Sequence, residues 1–189
     1  MHPIYKHFST KTVLPIKLAD VKAAILNTGE VAAITRFPVD MDELVLHGML
    51  RVYRDRPPYA VEDRVMAQIA YYEGLTDEQI RLVCTKEMLH LLDHQVATAA
   101  TQEQVSKLVE EITLPLEAVA SLPGISDHTK LVHALCILVP QAARTLLKEA
   151  FDAGKMSIED IARVARIPEP YARLVMNDRW ENLETKICA

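Results

Sequence analysis

Between Lys86 and His94 the chain reads Lys-Glu-Met-Leu-His-Leu-Leu-Asp-His, its densest run of side chains able to move protons or hold metals. On an α-helix, residues three and four apart share a face, so Glu87, His90 and His94 are predicted to line one side. Two imidazoles at i and i+4 can hold one transition metal, and a carboxylate beside them can polarise a bound water as general base. The same spacing also arises on the solvated face of an ordinary amphipathic helix, so neighbouring residues must decide. Glu87-x-x-His90 has the spacing of the di-iron four-helix proteins, but the chain holds no second copy. His90-x-x-Asp93-His94 is an inverted zinc-peptidase pattern with aspartate for glutamate, which displaces the activated water by about one methylene. Lys86 stands immediately before Glu87. A lysine cation there repels a metal at neutral pH.

The elements that must position these residues are read from periodicity and breakers. A helix is predicted over Leu18 to Leu26, ending near Asn27 and Gly29. Pro38 is read as opening the next unit, with Val39 and Asp40 leading into a helix from Met41 to His47. Met49 to Arg54 and Val65 to Tyr72 are read as strands on either side of the Arg56-Pro57-Pro58 loop. Thr76 caps a long helix that runs through the histidines to about Ala100, with Asp77 and Glu78 at its positive end. Leu82, Val83, Met88, Leu89, Leu92 and Val96 form its apolar stripe. Further helices are expected at 102–112, 127–138, 140–153, 157–166 and 169–180, with a turn at Pro123-Gly124. The fold class is therefore α+β and mostly helical: a sheet of two or three strands against the motif helix, then a helical C-terminal half.

Composition narrows the function. A chain of 189 residues, half apolar and a quarter charged, can bury its own core. It has no apolar run long enough to cross a membrane and no basic-then-apolar leader pattern, so no membrane role is expected. Three dispersed cysteines read as reduced thiols, Cys84 and Cys136 as core residues, which points to the cytoplasm. A net charge of −5 argues against coating nucleic acid, and five glycines leave little material for a phosphate loop.

The segment Leu75 to His94, preceded by Met66-Ala-Gln-Ile-Ala-Tyr-Tyr72, resembles the ImmA/IrrE-like zinc metallopeptidase family. There a strand leads through a turn into a helix carrying His-Glu-x-x-His. Arg81 falls where that family often has an arginine, Glu87 matches the general base, and His90 matches the second zinc-binding histidine. Lys86 replaces the first. The resemblance continues through Pro38 to Tyr53, through His133 to Phe151 with its Ile-Leu-Val-Pro, and through Ser157 to Met176. It implies a family-like domain over 37–189 after an N-terminal extension or helix at 1–36. The family's third ligand is a glutamate on the helix before the proline. The equivalent stretch here, Ser126 to Leu131, offers only Asp127 or His128. A retained metal site is expected to use His90, His94 and His128, with zinc as the metal and Glu87 as base. Without one, the resemblance implies a regulatory protein whose partner is another protein, such as a transcriptional repressor.

Residues 157–180 also resemble a helix-turn-helix. Ala162 sits at the close approach, Ile167 in the turn, and Ala172 and Val175 face the first helix. The second helix would present Glu169, Arg173 and Asn177 outward to DNA. Arg166 stands where a turn glycine is common. Residues 144–189 hold eight basic and eight acidic groups, without the basic surplus that phosphate binding needs.

Overall fold

The computed structural model describes residues 3–41, 47–56, 63–92 and 122–188. In chain order these form α1 (Pro3–Ser9), α2 (Leu18–Leu26), β1 (Ala33–Val39), β2 (Gly48–Asp55), β3 (Arg64–Tyr72) and α3 (Asp77–Leu89). A 3-10 turn (His90–Leu92) follows α3. Then come α4 (Leu122–Leu138), α5 (Gln141–Asp152), α6 (Ile158–Ala165), α7 (Glu169–Val175) and α8 (Trp180–Cys188). The fold is α+β and mostly helical, as the periodicity predicts.

The sheet is ordered β1-β3-β2, with β3 parallel to β1 and antiparallel to β2. β3 is central because it is the most apolar strand, and Ala67, Ile69 and Ala70 are buried. β1 is a strand that the breaker reading missed. Pro38 does not open a helix; it lies inside β1, opposite Tyr71. An edge strand tolerates this, because the missing N–H removes no bond from a ladder interior. The helix expected at Met41 to His47 falls largely on residues 42–46, outside the described residues, as does the helix at 102–112. β1 also crosses the division at residues 36 and 37. Ile4, Phe8, Val21, Ile25 and Ile34 share one hydrophobic cluster with Leu89 and Leu135.

One face of the sheet packs on α3, and the approach is close. A Cβ on Gly48 would stand 2.3 Å from Val83 Cγ1, so only glycine lets β2 lie against the helix there. Helix α3 begins with a capping box in which Thr76 Oγ1 accepts from the Gln79 N–H and Gln79 Oε1 accepts from the Thr76 N–H. Its α-helical hydrogen bonding stops at Leu89. The continuous helix expected to Ala100 therefore tightens to 3-10 at His90.

Helix α4 packs against α1, α3 and α8. Its last turns, Ala134–Leu138, and the following Val139 are buried throughout. Pro123 and Gly124 do not form a turn before it. They lie in its first turn, where a proline N–H would have no helical partner anyway. Pro140 caps α5, which leaves α4 at a bend of 76°. Among the described residues no single helix is long and apolar enough to cross a membrane.

The helix expected over 169–180 divides. α7 ends at Val175 because Asn177 turns the chain: its Oδ1 accepts from the Arg179 N–H, and its carbonyl accepts from the Trp180 N–H. α8 then starts at Trp180, whose side chain is 1% exposed.

Candidate functional site

The C-terminal end of α3 carries Lys86 and Glu87, the 3-10 turn after it carries His90, and the first turns of α4 bring Asp127 against them. Lys86 Nζ lies 2.5 Å from Asp127 Oδ1 and 3.2 Å from Glu87 Oε1. His90 Nε2 stands 3.6 Å from the same Asp127 oxygen. The four side chains are only 7–15% exposed. Lys86 and His90 are four residues apart, which puts both on the face that meets α4. Glu87 is the next residue along the helix, and Lys86 reaches across to it.

The electrostatics follow from the packing. Burial favours neutral lysine, but the Glu87 and Asp127 charges and their hydrogen bonds more than reverse this, raising Lys86 above the ordinary lysine range. Burial likewise pushes the Asp127 carboxyl up. The His90 imidazole and the Lys86 ammonium outweigh it and hold Asp127 down at about 2. The centre of the cluster is thus a lysine whose charged form is favoured, with the Asp127 and Glu87 side chains against its ammonium.

This arrangement does not fit a zinc ion. A protonated lysine donates hydrogen bonds and has no lone pair for a metal. Its ammonium takes the Asp127 oxygen that would coordinate, and its charge repels a dication. Of the three metal ligands expected from sequence, His94 lies outside the described residues. His128 is half-buried on α4, and its Nε2 has no hydrogen-bond partner among the described residues. It is Asp127, one residue earlier, that meets His90. Among the described residues no three His, Cys, Asp or Glu side chains are placed to hold one ion. Glu87 is in the cluster, but as a counter-ion to Lys86 rather than beside a metal-bound water.

The C-terminal helices α6 and α7 are bound into the domain. Ser157 caps α6 through a capping box with Asp160. Arg166 closes α6 in the left-handed region at φ 52°, the conformation for which glycine is usual. Ala162, Ile167, Ala172 and Val175 are buried. Glu169 and Arg173 are exposed but pair with each other at 2.8 Å, and Arg163 pairs with Asp160. Asn177 is exposed and lies beyond the end of α7.

Two buried arginines, one of them placed only by resemblance, hold this pair. Arg81 Nε donates to the Arg166 carbonyl at 3.0 Å and Nη2 to the Ile16 carbonyl at 2.7 Å, joining α3 to the turn and to the N-terminal segment. Burial, then repulsion from Arg166, lowers its pKa. Arg144 on α5 donates to the carbonyls of Val175 and Asn177 at the negative end of α7, and pairs with Glu181. The sequence signal for Arg144 is weak: an arginine on the core-facing side of an amphipathic helix.

No family model, characterised protein or solved structure matches this chain.

Proposed function

We propose that the chain is a non-peptidase regulatory protein that acts through protein–protein contacts, built on a frame like that of the ImmA/IrrE-like peptidases. One observation carries the reading: the Lys86 ammonium lies between Asp127 and Glu87, beside His90, where a metal would have to sit. The ammonium supplies the positive charge that orders the carboxylates without supplying a Lewis acid. The domain then keeps its shape and loses its hydrolytic centre. A partner such as a transcriptional repressor and a cytoplasmic location belong to the same proposal, the latter supported by the burial of Cys84 and Cys136 outside any disulfide.

DNA binding by α7 is the weaker reading. The pairs Glu169–Arg173 and Asp160–Arg163 leave no surplus positive charge on that face.

Elemental analysis of the full chain, purified without a metal-affinity tag, tests the proposal. Substoichiometric zinc and no change in His90→Ala are expected. Stoichiometric zinc that His90→Ala releases would overturn it. Lys86→His is expected to gain cobalt(II) binding, because it sets two imidazoles at i and i+4 against the Asp127 carboxylate.

A further inference from the structure

Away from the lysine–carboxylate cluster, α2, the sheet and α3 surround a cavity of about 390 Å3. Its floor is apolar and buried: Ile34, Ile69, Cys84 and Met88 are each at most 3% exposed. Its rim is charged. Lys22 on α2 and Arg36 on β1 line it and are exposed. Arg36 stands near enough to Cys84 to lower its thiol pKa, against the larger opposing effect of burial. Neither Lys22 nor Arg36 is paired with a carboxylate among the described residues. Two cations from different elements, α2 and β1, thus stand over one apolar floor.

We propose that this cavity is a binding site for a small carboxylate with a short apolar tail, the carboxylate held by Arg36 and Lys22 and the tail on Ile34, Ile69 and Met88. Arginine presents a planar fork that matches a carboxylate, and lysine adds a mobile second donor. A volume near 390 Å3 lies toward the small end of ligand sites, which suits a tail of several carbons and excludes a large cofactor. The site is separate from the metal question, because no ligand atom need touch Lys86, Glu87, His90 or Asp127.

Calorimetric titration of the full chain with octanoate, octanol and inorganic phosphate tests the assignment. Octanoate is expected to saturate one site, and octanol and phosphate to bind at least about tenfold more weakly, since each lacks half of the recognition. Arg36→Ala, at an exposed position that leaves folding intact, should weaken octanoate at least about tenfold. Ala19→Trp, which fills the rim from α2, should abolish binding. Arg54→Ala, an exposed cation outside the cavity, should change nothing. Unsaturable octanoate binding, equal binding of octanol or phosphate, wild-type affinity in Arg36→Ala, or binding that survives Ala19→Trp each overturns the proposal.

Discussion

Replacing Lys86 by methionine removes the ammonium at nearly constant volume and leaves Asp127 and Glu87 facing each other. At an effective dielectric of about 20, the 2.5 Å and 3.2 Å separations correspond to attractions of roughly 7 and 5 kcal/mol. Part of this is offset because the variant no longer has to desolvate an ammonium. Breaking a buried pair from one side costs about 3–5 kcal/mol, a large share of a domain's total stability. The penalty should depend on pH. In the wild type Asp127 is held at about 2, below the ordinary carboxylate value. A depressed folded-state pKa stabilises above the unfolded value, and the contribution is lost as pH falls from about 4 toward 2; it amounts to about 2 kcal/mol. In Lys86→Met the His90 hydrogen bond still lowers the Asp127 carboxyl, but the ammonium's share is gone, so the carboxyl pKa lies above its wild-type value and less stability is lost to acid. Urea titrations of both proteins at pH 7, 5 and 3 should therefore converge as pH falls. Lys86→Met/Asp127→Asn should recover part of the loss at pH 7. A deficit under about 1 kcal/mol at pH 7, or one that stays constant down to pH 3, would refute the argument that the ammonium helps hold the Asp127 carboxyl below its ordinary range.

Three other perturbations test the frame. Gly48→Ala should destabilise by about 1–3 kcal/mol because its methyl meets Val83 Cγ1, and Val83→Ala should relieve the clash in a double mutant measured by thermal unfolding. Arg144→Met leaves the Val175 and Asn177 carbonyls without their donors; a loss of about 1–3 kcal/mol and faster proteolysis near the α7–α8 junction are expected, read by limited digestion. Burial pushes the Cys84 thiol up to about 11, so iodoacetamide at pH 8 should label it in urea and not in the native protein, read by mass spectrometry.

The parts of this molecule legible from sequence are those set by local rules. α2 coincides with its predicted bounds, Leu18–Leu26, because amphipathic spacing and the Asn27–Gly29 stop are local signals. The capping boxes at Thr76 and Ser157 mark the starts of α3 and α6 for the same reason. Strands β2 and β3 lie within a residue of their predicted ends. The errors occur where tertiary context overrides a local breaker. Pro38 is permitted in β1 only because that strand is at an edge, and Pro123 is absorbed by the first turn of α4. Asn177 ends α7 only because Arg144 arrives from α5 to take the freed carbonyls.

The functional residues divide along the same line. Spacing alone places Glu87 and His90 on the helix that bears the site, and residue chemistry alone marks Lys86 as hostile to a metal. Whether Lys86 points to solvent or into the site cannot be decided along the helix, since both are compatible with its position. The fold decides it by bringing Asp127 from 41 residues away and burying the pair. An ammonium follows a carboxylate into the interior because an unpaired buried charge on either partner costs more than the pair does. The sequence therefore determined which side chains could act there, and the packing of α4 on α3 decided that they hold a proton-bearing nitrogen between them.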